Sequence, residues 1–539
     1  MSQTNPNAEN RHASSRTAVT RPIRWWPCLA TILVAMGCLF WIWLVRDISR
    51  QEKNLQTLYT GVGAVVLLLI WLLFVSRIRW RIKLLVVGAL LSLMIGAQVL
   101  LRVRGVTGDL LPVLEWRWKR PLPQDLAQPA EQGVSADSKT TASASAADLA
   151  RTGNDYPQFL GPDRNAVLAA PRLARDWKTQ PPEKIWRQPV GPAWSGFSIA
   201  GNRAVTQEQR GEKERVVCYD LLTGKLLWSH EDDAHYHTTI AGEGPRATPA
   251  IAGSRVVTVG ATGILNCLEL QTGKLIWSKN IIQENQAPLN DWGVSASPLI
   301  INGWVIVSAG GTKDRSLLAY EMEDGKFVWG GGNESASYSS PRLATLLGIP
   351  QLLIFNSANL TGHDLESGRV LWKYAWPKGH PHVAMPAILP DDRVLVSSGY
   401  GTGAELLQLG RNAQGDISAT RIWKSIRLKS KFANIIVHNG FIYGLDDGTL
   451  VCLDATEGRL RWKEGRYGHG QMILVGSLLL LTAEDGNVVL IEPLPDEHRE
   501  LSRFSALKGK TWNVPALAGG YLVVRNDQEG ACYRLPIEK

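Results

Sequence analysis

Residues 216–228 read V-V-C-Y-D-L-L-T-G-K-L-L-W, and the chain repeats the phrase. Residues 264–277 give I-L-N-C-L-E-L-Q-T-G-K-L-I-W, and residues 450–462 give L-V-C-L-D-A-T-E-G-R-L-R-W. Looser copies end at Trp329 and Trp372, and one with a longer turn ends at Trp423. Each copy is an alternating apolar strand, an acidic residue, a turn closed by Gly and a basic residue, and a short strand ending in Trp. That pattern is a β-hairpin, in which Gly supplies the positive φ that a tight connection needs.

The tryptophans set a period. Trp186, Trp228, Trp277, Trp329, Trp372, Trp423 and Trp462 are spaced 39 to 52 residues apart, and Phe504 follows 42 residues later in the same role. Strand-rich units with a period in the forties are propeller blades of four strands each. A second marker lies upstream of each hairpin: a polar or aromatic cluster, a small residue or Pro, then an apolar strand. It occurs eight times, near Trp194, Arg246, Val294, Tyr338, Val383, Phe432, His469 and Trp512. The expectation is an all-β, eight-bladed β-propeller over residues 154–539. Its last blade lacks a fourth strand, which residues 185–190 would supply, closing the ring and removing an exposed sheet edge.

The first part of the chain is different. Residues 25–45, 59–75 and 84–101 are three apolar runs, each about the length that crosses roughly 30 Å of hydrocarbon. Residues 21–104 therefore form a membrane anchor, behind a polar N-terminal tail, residues 1–20, expected to be disordered. The net charge of +9 is concentrated here: residues 1–120 hold 16 Lys and Arg against 5 Asp and Glu, leaving 42 against 44 for the remainder. A near-neutral propeller does not indicate a nucleic-acid partner. Arg77, Arg79, Arg81 and Lys83 crowd the loop between the second and third spans, and four arginines precede the first. By the positive-inside rule the tail and that loop are cytoplasmic, so an odd number of spans exports the propeller to the periplasmic side of the inner membrane. Arg102 and Arg104 count against that orientation. Residues 105–120 place Leu and Trp beside basic residues and are expected along the interface. Residues 121–153, rich in Pro, Ala and Ser, read as a spacer.

Cys218, Cys267, Cys452 and Cys532 occupy equivalent places in four hairpins. Stacked sheets lie about 10 Å apart, beyond disulfide reach, so these are expected to be small buried residues. No C-x-x-C spacing suggests a metal.

The repeat resembles the pyrroloquinoline-quinone (PQQ) repeat propellers, over roughly residues 156–539, through its C-x-D-x-x-T-G-K-x-x-W pattern. The resemblance implies that the repeat Trp docks blade against blade. Two branches of that superfamily matter. Quinoprotein dehydrogenases bind PQQ and calcium on the propeller axis, whereas BamB-type outer-membrane assembly factors are periplasmic, bind proteins and carry no cofactor. This sequence lacks the adjacent cysteine pair of the quinoprotein alcohol dehydrogenases, and its blades are lean. Membrane glucose dehydrogenases, however, share its anchored architecture.

Chemistry on a propeller belongs to the axial funnel, where the loops entering the innermost strands converge. These carry Trp194, Arg246, Trp292, Tyr338, His380, His382, Lys431, Asn434, His469, Gln471, Trp512 and Asn513. Arg and Lys could hold an anionic ligand and Trp could stack on a planar ring, with His or Asp291 as a base. The alternative is that these residues line a wet channel and cap strands. The expected function is a membrane-anchored, non-catalytic module binding envelope proteins, with no catalytic residue, cofactor or metal. Two alternatives stand beside it: a PQQ- and calcium-dependent dehydrogenase feeding the quinone pool, and a small-ligand sensor.

Overall fold

The computed structural model describes residues 22–118 and 155–538. The expected disordered tail and the whole of the Pro/Ala/Ser-rich spacer lie outside them. Two compact units are present, the helices through Arg102 with residues 115–118, and the propeller together with residues 103–114.

The first unit contains three helices long and apolar enough to cross a membrane: Trp26–Val45, Arg50–Val75 and Trp80–Leu100. The second starts nine residues ahead of its apolar run. Ser49 explains the early start, because its Oγ accepts the Glu52 N–H at 3.2 Å and caps the helix with an acid in its first turn. Polar tethers cross between helices. Trp43 Nε1 donates to Thr57 Oγ1 at 2.9 Å, and Lys83 Nζ donates to the Leu73 carbonyl at 2.6 Å.

The second unit is an eight-bladed propeller of four-stranded antiparallel sheets. In chain order the blades span residues 198–232, 250–280, 299–331, 342–375, 387–425, 436–466 and 471–505, and the eighth is 516–534. Strand Glu183–Pro189 completes the eighth, pairing antiparallel with Glu529–Arg534. The ring is therefore closed by its own first strand, as the repeat count requires. Among the strands not legible in the sequence, Val167–Leu168 adds in parallel to Gln471–Val475 and makes that blade five-stranded.

The repeat phrase acquires a physical reading here. Cys218 pairs with Trp228, Cys267 with Trp277, Cys452 with Trp462, and Cys532 with Trp186. Ala319 and Gly362 take the same place opposite Trp329 and Trp372. A small residue opposite the indole leaves room for it, and the register shifts immediately afterwards, as a bulge that re-aims the strand. The indole then lies on the glycine of the next blade. A Cβ on Gly273 would fall 2.4 Å from Trp228, and one on Gly325 would fall 2.8 Å from Trp277. The ring nitrogens bond forward as well: Trp186 to Leu221 O, Trp228 to Leu270 O, Trp277 to Met322 O, Trp423 to Ala455 O and Trp462 to Leu494 O, at 2.7 to 3.1 Å. Trp329 and Trp372 depart from this: Trp329 Nε1 is buried without a partner, and the blade following Trp372 has the long turn without this glycine. Trp372 bonds to Gln351 of its own blade instead.

The stretch expected along the interface forms a β-hairpin. Leu101–Val106 and Pro112–Trp116 form a two-stranded sheet of their own. Its turn, Thr107-Gly108-Asp109-Leu110, packs in the propeller unit, because its polar groups find partners there and its sequence alternates as a strand does.

Candidate functional site

Around the axis, small polar side chains of each blade bond to the backbone of the next. Gly196 N–H donates to Thr248 Oγ1 (3.1 Å), Thr248 N–H to Ser297 Oγ (2.9 Å) and Ser297 N–H to Ser340 Oγ (2.9 Å). Ser339 Oγ reaches Ala384 O, and Met385 N–H donates to Asn434 Oδ1. Gln471 Nε2 donates to both Phe432 O and Trp512 O, and Asn513 Nδ2 to Ala193 O and Ser195 O. These contacts form a continuous hoop from the first blade back to itself. They explain why each marker segment carries a small polar residue or an amide: buried backbone groups there must be paired.

Inside the hoop lies a cavity of about 140 Å³. Seven of the twelve expected residues line it: Trp194, Arg246, Trp292, Tyr338, Asn434, Gln471 and Trp512. Trp292 stacks on Tyr338 at 5.0 Å, and Trp194 packs against Trp512 at 4.9 Å. Arg246 is buried. Its guanidinium donates to the Gly242 and Gly244 carbonyls and lies 4.7 Å over Tyr236. Burial pulls it down to about 10.

Sequence reading missed Phe159, Phe432, Thr248, Ser297 and Ser340, which also line the cavity. Phe159 belongs to the lead-in segment, which crosses the ring: Ile251 N–H donates to Pro157 O, and Arg164 donates to Ser297 O and Pro298 O. Its Y-P-Q-F-L-G-P-D-R sequence carries no periodicity that would place it there.

The other five expected residues do not line the cavity. His380 is exposed and stacks on Tyr400. His382 is fully buried between the carbonyls of Asn356 and Pro377 and stacks on Phe355 at 4.4 Å; burial holds it below its ordinary value, so it is a packing residue. Asn513 belongs to the hoop.

Lys431 and His469 instead hold the hairpin turn. Lys431 Nζ donates to Gly108 O at 2.6 Å, and His469 Nε2 lies 3.3 Å from Asp109 Oδ1. Arg466 bonds the same carboxylate. Glu484 accepts the Gly108 N–H at 2.7 Å and the Trp512 Nε1–H at 2.9 Å. Lys510 Nζ donates to Val106 O at 3.1 Å while lying 4.7 and 4.2 Å from the Trp194 and Trp512 rings. Burial lowers Lys431 to about 8. Burial alone would push the Asp109 carboxyl up, but His469 and Arg466 outweigh it and hold it below its ordinary value. Residues 101–116 did carry a hairpin signal, L-R-V-R-G-V-T-G-D-L-L-P-V-L-E-W, two runs around T-G-D.

A family model described as "Outer membrane protein assembly factor BamB", of the PQQ_2 type, matches residues 212–464. The ring is a BamB-like PQQ-repeat propeller. Among solved structures, this propeller is similar to BamB from Moraxella catarrhalis, at 16% identity over 66% of this chain and 99% of that one, with a TM-score of 0.48. It is also similar to the quinohemoprotein alcohol dehydrogenase ADHIIG from Pseudomonas putida HK5, at 12% identity over 73% of this chain and 82% of that one, with a TM-score of 0.50. A search of curated proteins finds no match. At these identities the likeness to solved structures is one of fold, so function rests on the site.

Proposed function

We propose that the chain is a membrane-tethered, non-catalytic protein-binding module, with its BamB-like propeller on the outer face of the cytoplasmic membrane and envelope proteins as partners. The observation that carries this reading is the use made of the axial residues. Asn434, Gln471 and Asn513 are consumed in joining blades, and Lys431, His469 and Lys510 hold a turn of the same chain. Binding energy is then left to the loop faces, which are free to vary because the repeats are committed to packing.

The PQQ alternative fits the residues poorly. A three-ring anionic cofactor needs free cations and more room than a cavity of about 140 Å³, a volume close to that of an engineered cavity holding a single benzene. Among the described residues no group of three or more His, Cys, Asp or Glu is placed to hold a metal such as calcium.

The test uses the full chain in lipid nanodiscs and in native envelopes. Calorimetric titration with PQQ, with and without calcium, should give no heat; tight calcium-dependent binding would overturn the reading. Photo-crosslinking residues at exposed positions Leu222, Leu343 and Ile426 should yield discrete protein adducts at some faces and not others. Diffuse or absent adducts at every position would count equally against it.

A further inference from the structure

The hairpin turn is held as a ligand is held, and not as a blade strand is held. Its two strands pair only with each other and join no blade. Few of its apolar side chains are covered: Val103, Leu111 and Leu114 are exposed, and Val106, Leu110 and Val113 are only half-buried. Leu110 adopts φ +60°, a conformation that costs a non-glycine residue energy. Apolar burial, the usual source of internal docking, is thus nearly missing.

Charge and backbone recognition replace it. The Gly108 peptide is read on both sides, its carbonyl by Lys431 and its N–H by Glu484. A Cβ at Gly108 would fall 2.0 Å from the His469 ring, so the seat also reads the absence of a side chain. The buried Asp109 carboxylate meets His469 and Arg466, and Arg104 pairs with Asp527 at the rim. Departure of the turn would leave the buried Lys431 and His469 without these acceptors, so the seat calls for a replacement of the same chemistry.

Departure is also topologically free. Neither hairpin strand pairs with a blade strand, so no blade opens when the turn leaves.

We propose that the axial mouth is a receptor site for a Gly-Asp β-turn, filled by the chain's own turn at residues 107–110 and exchangeable for an acid-tipped turn of a partner protein. The exchange rests on the protein-binding reading above; the seat itself does not. Lys431, Arg466 and His469 read the carboxylate, Glu484 reads the preceding N–H, and Lys510 on its two indoles reads the strand that enters the turn.

The probe is a disulfide-cyclised peptide carrying residues 103–114, with an Asp→Asn counterpart, titrated by fluorescence anisotropy against the full chain in nanodiscs. Gly108→Val with Asp109→Lys should empty the seat. The emptied variant should bind the Asp peptide while the wild type does not. The Asn peptide should bind at least about thirtyfold more weakly, as expected when one partner of a buried charged hydrogen bond is lost. Adding Lys431→Met to the emptied variant should abolish binding.

An emptied variant that melts like the wild type, shows faster amide exchange at residues 106–110 and ignores the peptide would overturn the proposal. So would equal binding of both peptides, or amide exchange at the turn unchanged by the double substitution. None of these outcomes touches the loop-face crosslinks, and tight PQQ binding would sink that reading without altering the peptide result.

Discussion

The tryptophan belt and the axial mouth both hold parts of the chain together, and they do so by opposite means. In the belt, Trp186, Trp228, Trp277, Trp329, Trp372, Trp423 and Trp462 are each at least nine-tenths buried, and most bond forward to a carbonyl of the next blade. In the mouth, the hairpin turn buries little apolar surface and is fixed by charges and a peptide group. Apolar burial scales with area and tolerates small shifts, whereas a buried charge network fails when one member goes. The belt should therefore set the stability of the ring, and the mouth should set only whether the turn is seated.

The largest effect that would break this contrast is in the belt. Trp277→Ala should destabilise the propeller by about 3–5 kcal/mol, read as a fall in its melting transition. A near-neutral result would mean that the indole is not docked. The belt can also be sharpened internally. Trp277 Nε1 bonds to Met322 O, whereas Trp329 Nε1 is buried without a partner. Trp277→Phe should therefore cost about 1 kcal/mol more than Trp329→Phe.

Next comes the seam where the ring closes. Arg525 is fully buried and donates to Thr206 Oγ1, Gln207 O and Gly191 O, joining the last blade to the first. Arg525→Met should cost about 3 kcal/mol, because hydrogen bonds from a charged donor are lost and their acceptors stay buried.

Glu214 lies between belt and mouth in its effect. It is buried, accepts the Ala261 N–H, and burial raises its carboxyl to about 7. The fold thus favours its neutral form, so it supports stability at low pH and loses that support as pH rises from about 4.5 to about 7. Melting of Glu214→Gln across that window should show a flatter profile than the wild type.

Asp109→Asn should have the smallest effect on the ring, within about 0.5 kcal/mol of its melting stability. Amide exchange at residues 106–110 should nevertheless accelerate clearly. A large drop in ring stability would show that the turn is a structural part of the propeller and would erase the contrast.

The belt was legible in the sequence because a repeat writes its own register. The small residue, the acid, the glycine and the Trp recur at fixed offsets: the small residue faces the Trp, the acid caps its own turn, and the glycine receives the Trp of the preceding blade. The strand that closes the ring was legible by counting. The axis was legible only in part: Trp194, Trp292, Tyr338 and Trp512 do line one cavity, but His382 and Asn513 are spent on packing. Residue type alone could not separate these uses, since an amide that joins blades and one that meets a ligand look alike in a chain. The hairpin was obscured by the reading of Leu110, Leu111, Leu114, Trp116 and Trp118 as an interfacial stripe, although the alternation around T-G-D favoured strands. Phe159 and Arg164 had no local signal, because their places depend on a segment folding across the far side of a ring that does not exist until every blade is made.

That closure has a consequence for the order in which the protein is synthesised. Arg187 and Glu529 are bonded at 2.8 Å although 342 residues separate them. The strand that seals the ring is thus among the first propeller residues to leave the ribosome, and it waits for the last ones. Until then the growing array has two unpaired edges, the condition under which sheet proteins associate wrongly. A chain cut before Glu529 would keep the strand pairing of the first seven blades and still never lose those edges.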